Sequence, residues 1–381
     1  MLRKPAGEEE TQTLDRILMA SFAITSSWSQ WMDRVGRENL RVFEDAGRVV
    51  GGVGFYRMAE WFGGKSVGLA GVAGVGIVPE SRGRGLAAKM LGDLLREIAA
   101  EGVPLAGLYA STATLYRSIG FEQAGVALVF RANTGAVGKG SHDLPCREVD
   151  PKNWEIFKPL YDARARSWTG HLDRTPSIWE RTMTPRRGTL IYAYAVGEPI
   201  EGYVVFQQTP LEANWFDVRI RDIVFSTPAA AQRIIALLSD LRALARWVTW
   251  TGVASDPLVM LLPEQTQEVT SNERWMLRIL DVQRALEQRG WPPISGEVHL
   301  RIRDRLLAAN DATFVLHVDR GDAKVERGGR GDVTMDIRAL SAMYTGFAHP
   351  VAMMGAGLLE GEASTLATLF AGPEPWCCDH Y

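Results

Sequence analysis

The sequence predicts a mixed α/β protein of three domains, the third of them of the α+β type. Three observations lead to this class. The chain has 381 residues, which is more than a single small α/β domain needs. Apolar strand-like runs alternate with amphipathic helices over about residues 1–145, and a similar order returns over about residues 146–285. About residues 286–381 carry period-2 strands followed by short helices.

The composition argues against several functional classes. Hydrophobic residues make up 46% of the chain and charged residues 23%, which is typical of a globular protein. The net charge of −3 argues against a nucleic-acid partner. No apolar run is long enough to span a bilayer, and the acidic start at Glu8-Glu9-Glu10 does not resemble a secretory signal. We therefore expect a cytoplasmic protein without a membrane partner. The three cysteines and six histidines lack metal-ligand spacing, so no metal is expected.

The first domain begins with a predicted helix and a β-hairpin. The helix carries apolar residues at helical spacing, namely Leu14, Ile17, Leu18 and Phe22. Two strand-like segments, residues 39–44 and 49–56, are separated by the turn Asp45-Ala46-Gly47. These elements lead into the most informative part of the chain.

A glycine-containing turn then joins a strand to a helix. The apolar run at residues 72–78 is followed by Arg82-Gly83-Arg84-Gly85 and by a helix that starts at Leu86. The first turn of a helix has unpaired N–H groups and partial positive charge, so a phosphate or pyrophosphate fits there. The segment lacks the Lys-Ser/Thr pair of nucleoside-triphosphate loops and the three spaced glycines of dinucleotide-binding folds. What remains is the spacing Arg-x-x-Gly-x-Ala, which ends at Ala87.

A second motif follows the first in chain order. The helix ends near Gly102 and Pro104, and a short strand at residues 105–110 leads to Ser111-Thr112, where a helix cap is expected. The next helix carries Leu-Tyr-x-x-x-Gly-Phe at residues 115–121, before an alternating strand. The two motifs, each on the appropriate element, resemble the GCN5-related N-acetyltransferases.

The second domain is predicted from the order of its elements. A glycine-containing linker at residues 133–142 comes first. The predicted elements are a helix over residues 151–168, a hairpin at Gly197-Glu198, a strand over residues 215–225 and a helix over residues 228–245. This order echoes the first domain, but residues 226–231 keep helix-capping chemistry without the glycines. We therefore expect a diverged duplicate that does not bind cofactor.

The third domain is predicted from period-2 strands. Alternating apolar residues occur at 298–302, 314–318 and 333–337, with turns at Asp311 and at Arg320-Gly321-Asp322. Two helices follow, one through Leu340 to Tyr344 and one over residues 363–370. This pattern resembles a sterol-carrier-like domain, although any small α+β module would share it.

Further short sequence motifs occur in the first and third predicted domains, so that a family resemblance covers essentially the whole chain. They are Phe55, Trp61-Phe62-Gly63-Gly64, residues 336–340 and the ending Pro373-x-Pro375-Trp376-x-x-Asp379-x-Tyr381. With the three domains in this order, the chain resembles the Eis-type (enhanced intracellular survival) N-acetyltransferases. The resemblance implies tandem acetyltransferase folds, the second one degenerate, and then a sterol-carrier-like domain. It also implies a cytoplasmic, homohexameric enzyme that uses acetyl-CoA to acetylate amines, including aminoglycosides.

The resemblance assigns roles to residues of this sequence. Those expected to bind acetyl-CoA are Val75, Gly76, Ile77, Val78, Arg82, Gly83, Arg84, Gly85, Leu86, Ala87, Ser111 and Thr112. Tyr116 matches the general acid, and the terminal carboxylate of Tyr381 matches the base. The backbone N–H near Val75 would stabilise the oxyanion.

The acceptor site is expected in the segment before the first hairpin. Phe22, Trp28 and Trp31 match the place where the family lines its amine pocket, and Asp33 and Glu44 are further candidate carboxylates. The acceptor would be a cationic amine such as an aminoglycoside, a polyamine or a lysine side chain. Two alternatives stay open. One is a lipid carrier or scaffold, and the other is an acetyl-CoA sensor without turnover.

Overall fold

The computed structural model describes the whole chain, Met1–Tyr381, and divides it into two compact units. Unit 1 comprises Met1–Gly125, Arg274–Pro373 and the last residue, Tyr381. Unit 2 comprises Val126–Glu273 and Glu374–His380. The first acetyltransferase-like segment and the third-domain segment therefore pack together in unit 1.

The elements up to Ile279 are a mixture of strands and helices. In order they are β1 Leu2–Arg3, α1 Glu8–Phe22, α2 Ser29–Val35, β2 Leu40–Asp45, β3 Arg48–Phe62, β4 Lys65–Ile77, α3 Leu86–Ala100, β5 Leu105–Tyr109, α4 Ala113–Ser118 and β6 Glu122–Asn133. They continue with β7 Cys146–Val149, α5 Lys158–Ser167, β8 Leu172–Asp173, α6 Pro176–Met183, β9 Leu190–Val196, β10 Gly202–Pro210, β11 Phe216–Phe225, α7 Pro228–Asp240, β12 Ala245–Gly252, α8 Pro257–Leu261 and β13 Glu268–Ile279.

The rest of the chain forms the smaller α+β part of unit 1. Its elements are α9 Val282–Gln288, β14 Ser295–Arg303, β15 Ala312–Asp319, β16 Asp322–Arg327, β17 Val333–Asp336, α10 Ile337–Tyr344, α11 Pro350–Gly355, β18 Leu359–Glu360 and α12 Ser364–Leu369. Five of these strands form one sheet in the order β16-β15-β14-β17-β18. None of the helices of the chain combines the length and apolar composition that crossing a bilayer requires.

The larger sheet of unit 1 positions the candidate site. Its strands follow the order β1-β2-β3-β4-β5-β13, and all neighbours are antiparallel except β4 and β5. The parallel pair is short: it runs from Leu69–Leu105 to Gly71–Gly107 and then stops. Beyond Gly71, β4 stays paired with β3 on its other side as far as Ile77. The edge of β4 that faces away from β3 is therefore without a strand partner over its last residues.

Helix α3 covers one face of this sheet because its apolar residues recur at helical spacing. The buried ones are Met90, Leu91, Leu94, Leu95 and Ile98. They pack with strand residues that include Phe55, Val72 and Leu108. Burying one such side chain contributes about 1.5–3 kcal/mol, so the start of α3 is held firmly beside the end of β4.

Unit 2 repeats this arrangement. Strands β10, β11 and β12 follow each other in its sheet, and α7 packs on them with Ile234, Ile235 and Leu238 buried. Strands β11 and β12 are parallel, as β4 and β5 are, and their pairing ends at Arg219–Thr249. The hairpin predicted at Gly197-Glu198 joins β9 to β10.

Two predicted helices of the second domain are too long. Residues 151–157 form a 3-10 stretch in which Asn153 leaves helical geometry at φ −91° and ψ 37°, so α5 begins only at Lys158. Helix α7 ends at Asp240, and Ala245 already belongs to β12. Leu244 breaks the helical pattern at φ −131°, and the apolar residues beyond it belong to a buried strand.

The third domain also departs from the prediction. Ile337 was predicted as a strand residue, but it is the first residue of α10, because the Asp336 side chain caps the helix by accepting from the Ala339 N–H. Strand β16, helix α11 and strand β18 were not predicted. Strand β13 lies within the predicted second domain, but its residues Trp275–Ile279 pair with β5 in unit 1.

Candidate active site

The turn before α3 has open backbone N–H groups. Gly83 and Gly85 have φ values of +76° and +74°, in the left-handed region that glycine adopts without strain. Gly85 occupies the N-cap position, and no side chain caps the first turn of α3. Apart from the adjoining residues, no atom lies within 4 Å of the position that a Cβ would take at either glycine. The turn therefore has free amides and the space that a pyrophosphate needs, so its residues fit acetyl-CoA.

The two arginines of the turn have separate partners. The Nε of Arg82 donates to the Ile77 carbonyl oxygen at 2.9 Å, which ties the turn to the end of β4. Arg84 forms an ion pair with Asp45 at 3.1 Å. Both side chains thus fix the turn, and the backbone amides remain the groups directed at an anion.

A β-bulge reshapes β4 just before the turn. Gly52 pairs with Gly76 and Gly54 with Ala73, so β4 holds one extra residue between these pairs. The extra residue falls at Gly74, whose φ is +62°, next to Val75. Bulges break the regular pairing and redirect the neighbouring groups. The segment predicted to bind the pantetheine arm and the oxyanion therefore lies on the unpaired edge of β4.

Tyr116 lies on α4, directly after the end of β5. Its side chain is 5% exposed, and its ring packs edge-on against Phe121 with centroids 5.9 Å apart. Burial raises the pKa of Tyr116 to about 12, so the phenol keeps its proton at neutral pH. Thr112 occupies the N-cap position of α4 as predicted, but its side chain makes no capping hydrogen bond.

Tyr381 packs within unit 1, at the point where β4 and β5 part. Its ring makes edge-on contacts with Tyr56 and Tyr109, with centroids 6.4 and 5.8 Å apart. A Cβ at Gly71 would lie 2.9 Å from ring carbons of Tyr381, and one at Gly107 would lie 2.7 Å from its hydroxyl oxygen. Glycine at both positions therefore makes room for the last residue of the chain.

The three aromatic residues predicted for the amine pocket form one cluster. The ring centroids of Phe22 and Trp28 are 4.9 Å apart, and those of Trp28 and Trp31 are 5.1 Å apart. The Trp31 ring lies against the bulge: its Cη2 would be 2.5 Å from a Cβ at Gly74 and 2.7 Å from one at Gly54. Phe22, with 44% of its surface exposed, extends the cluster to solvent.

Both candidate carboxylates are in ion pairs with arginine. Asp33 bonds to Arg37 at 3.1 Å, and Glu44 bonds to Arg3 at 3.0 Å. A third carboxylate, not singled out from the sequence, lies closer to the aromatic cluster: Asp15 accepts the backbone N–H of Trp28 at 2.6 Å. Its position on α1 follows from helical spacing, but its contact with Trp28 depends on how the following loop folds back.

At the equivalent strand edge of unit 2, a cavity of about 290 Å³ remains, but polar groups around it are bonded within the protein. Arg164 donates to the Ile223 carbonyl oxygen on β11, beyond the last β11–β12 pair. The buried Arg174 bonds to Asp222 on the same strand and to Asp379 of the C-terminal segment. The Thr227 side chain caps α7 by accepting from the Ala230 N–H. The start of α7 is thus capped by a side chain, unlike the start of α3, and the absence of cofactor binding by the second fold stays a prediction.

The residues around Tyr381 could not be found from the sequence. Tyr56 and Tyr109 are strand residues in apolar runs, and tyrosines in such runs usually belong to the hydrophobic core. Gly71 and Gly107 have no motif around them. No group of three or more His, Cys, Asp or Glu side chains in the chain is placed to hold a metal ion.

Family models match three consecutive segments of the chain. Residues 3–124 and 170–279 each match an acetyltransferase (GNAT) domain, and residues 282–378 match a sterol carrier protein domain. The fold and the site thus define a GCN5-related N-acetyltransferase with tandem acetyltransferase folds.

Comparison with individual relatives identifies the family. The crystal structure of a GCN5-related N-acetyltransferase from Anabaena variabilis is 35% identical, covers 100% of both chains and superposes with a TM-score of 0.96. The N-acetyltransferase Eis of Mycobacterium tuberculosis is 25% identical over 301 residues, which are 75% of this chain and 73% of that protein. An N-acetyltransferase of Streptomyces griseus is 26% identical over 347 residues, 83% of each chain. The chain belongs to the GCN5-related N-acetyltransferases, has the Eis N-acetyltransferases among its homologues, and is an acetyltransferase.

Proposed function

We propose that the protein transfers the acetyl group of acetyl-CoA to the amine of a cationic small molecule of the aminoglycoside or polyamine kind, or to a lysine side chain. One observation carries this proposal. The aromatic cluster of Phe22, Trp28 and Trp31 lies on the β4 bulge, next to Val75 on the unpaired strand edge. An amine held by these rings would be close to the edge on which the acetyl donor is expected to bind.

The chain would hold the donor with backbone groups. Acetyl-CoA supplies a thioester, whose acetyl carbon is open to attack by an amine. The amides of residues 83–87 would hold the pyrophosphate, since they are free and lie at a helix N-terminus. The open edge of β4 over residues 75–77 would pair with the amide groups of the pantetheine arm. The N–H near Val75 would then stabilise negative charge on the acetyl oxygen.

The amine would be bound by aromatic faces. A cation over the face of Trp gains about 0.5–2 kcal/mol, and more where water is excluded. Trp28 and Trp31 provide such faces, and Asp15 contributes a carboxylate at the base of the cluster. A cationic acceptor fits this lining better than a neutral or anionic one.

Proton transfers complete the reaction. As the nitrogen–carbon bond forms and the carbon–sulfur bond breaks, the amine must lose a proton and the sulfur must gain one. The terminal carboxylate of Tyr381 would take the amine proton through water, and the Tyr116 hydroxyl would give its proton to the sulfur. Burial supports the second role, because it keeps Tyr116 protonated with a pKa of about 12.

We also propose that the chain forms a homo-oligomer in the cytoplasm, a hexamer as the family resemblance implies. Large apolar side chains on the surface of unit 2 support assembly, namely Leu190, Trp215, Leu244 and Met260. Light scattering of the purified protein would give its mass.

A thiol-release assay with acetyl-CoA and a panel of amines tests the enzymatic proposal. The wild type should release thiol with aminoglycosides, polyamines or lysine peptides, and Tyr116→Phe should lower kcat by about 100-fold while binding acetyl-CoA normally. Wild-type kcat in Tyr116→Phe would contradict the assigned role. Acetyl-CoA binding without turnover on any amine would favour a sensor.

A further inference from the structure

An ion-pair cluster joins the helix of Tyr116 to the sterol-carrier-like domain. Glu122, the first residue of β6, accepts from the Arg117 Nη2 at 2.7 Å and from the Arg338 Nη2 at 2.6 Å. Arg117 is the neighbour of Tyr116 on α4, whereas Arg338 lies on α10 of the third domain. Glu122 is therefore a shared acceptor between the two domains.

This carboxylate is well placed to be held in its charged form. Glu122 is 9% exposed, and both of its carboxylate oxygens accept from Arg117: Oε1 from Nη2 and Oε2 from Nε. Burial raises the pKa of Glu122, but the hydrogen bonds from Arg117 and Arg338 outweigh burial, and the pKa is lowered. The cluster thus stays ionised at neutral pH.

A second ion pair also links the first domain's sheet to the third domain. Arg278 on β13 is fully buried, and its Nη2 donates to both oxygens of Asp304 at 2.7 Å. Asp304 follows β14 in the third domain and is 5% exposed. The Nε and Nη1 of Arg278 are buried without a hydrogen-bond partner.

The glycine of the Leu-Tyr-x-x-x-Gly-Phe motif packs on this arginine. A Cβ at Gly120 would lie 2.7 Å from the Arg278 guanidinium carbon, and the φ of Gly120 is +93°. The Arg278 guanidinium therefore lies against the backbone at Gly120, just after the C-terminal end of α4. A cation is favourable there, because the last carbonyl groups of a helix carry partial negative charge.

We propose that the sterol-carrier-like domain positions Tyr116, with Arg338 and Asp304 acting as positioning residues through Glu122 and Arg278. Helix α4 has only six residues and lacks a side-chain N-cap, so local interactions hold it weakly. The two ion pairs fix the segment that follows Tyr116 from two sides. This inference rests on the proposed role of Tyr116, and it gives the third domain a task in acetyl transfer.

The test is a double-mutant cycle between Arg338→Gln and Tyr116→Phe. Arg338 is 32% exposed, so its replacement leaves no buried charge without a partner, since Glu122 keeps Arg117. In the wild-type background, Arg338→Gln should lower kcat about tenfold with an unchanged KM for acetyl-CoA, and Arg338→Lys should recover part of the loss. In the Tyr116→Phe background, the same change should have no further effect.

The matched control is Arg330→Gln in the same domain. Arg330 pairs with Asp332 at the surface, is 66% exposed and makes no contact with the Tyr116 segment, so its replacement should leave kcat at the wild-type value. An unchanged kcat in Arg338→Gln, or an equal fall in both backgrounds, would overturn the positioning role. Wild-type turnover of Tyr116→Phe itself would instead remove the proposed general acid, and the positioning inference with it.

Discussion

The hydroxyl oxygen of Tyr381 lies 2.7 Å from the position that a Cβ would take at Gly107. Gly107 is the last β5 residue paired with β4, so the final residue of the chain occupies the point where the two strands separate. The contact is possible only because β5 carries glycine there. It places the chain terminus beside the strand edge on which the acetyl donor is expected.

Gly107→Ala should therefore displace Tyr381. We expect kcat to fall about tenfold or more, because shifts near 1 Å at a reacting group cost up to about 100-fold in rate. Acetyl-CoA affinity and melting temperature should change little. Gly68→Ala on β4 is the matched control, since its Cβ would meet only Pro104 at an ordinary 3.6 Å. Equal kinetics for the two variants would argue against a role for the position of Tyr381.

The terminal carboxylate can be tested apart from the Tyr381 ring. A short C-terminal Gly-Ser extension moves the carboxylate away, and kcat should fall at least about 100-fold while acetyl-CoA binding by calorimetry is retained. Tyr381→Phe keeps both the carboxylate and an aromatic ring, and its kcat should stay within about twofold of wild type. Full activity of the extended chain would remove the terminal base from the mechanism.

The turn before α3 should govern donor binding. Gly85→Ala forces a residue with a Cβ into a φ of +74°, so the turn should shift and the KM for acetyl-CoA should rise about tenfold. Gly188→Ala imposes the same strain at φ +76°, also in open space. It should cost similar stability without changing that KM. If both variants bind the donor equally well, the pyrophosphate is bound elsewhere.

Tyr116 should remain a proton donor across the usual pH range. Burial raises its pKa from 10.0 to about 12, so the hydroxyl loses its proton only as pH rises towards 12. Its contribution to stability is accordingly complete below pH 10.0 and is lost as pH rises through about 12. We expect kcat to show no alkaline decline between about pH 7 and pH 10. A decline in that interval that Tyr116→Phe abolishes would contradict the buried, protonated phenol.

Trp31 should determine acceptor affinity. Trp31→Ala removes the ring that covers the β4 bulge, and the KM for a cationic amine should rise about tenfold with the KM for acetyl-CoA unchanged. Trp247→Ala, at a half-buried tryptophan of unit 2 whose ring lies against Arg131, serves as the control and should leave both KM values unchanged. Loss of donor affinity alone in Trp31→Ala would contradict the assignment of the amine site.

The sequence was most informative where local chemistry determines structure. The turn at Gly83 and Gly85 and the helix of Tyr116 were predicted because glycine spacing and motif order are local signals. The helix predicted over residues 151–168 was too long because one residue, Asn153, leaves helical geometry. Ile337 was assigned to a strand because its alternation with Met335 outweighed the capping aspartate between them.

Contacts between distant segments could not be predicted in this way. Gly71 and Gly107 bear on the site only because residue 381 returns to them, and no short pattern records that return. Arg278 is similar: it stands in an apolar strand, and its partner Asp304 lies 26 residues further along the chain. Such relationships follow from domain packing, which local periodicity does not encode.

The most direct test of the account is a crystal structure of the complex with acetyl-CoA. We predict the pyrophosphate on the amides of residues 83–87, the pantetheine arm along β4 at Val75 to Ile77, and the thioester sulfur within hydrogen-bonding distance of the Tyr116 hydroxyl. Electron density for the donor at another place on the chain, or a sulfur remote from Tyr116, would contradict it.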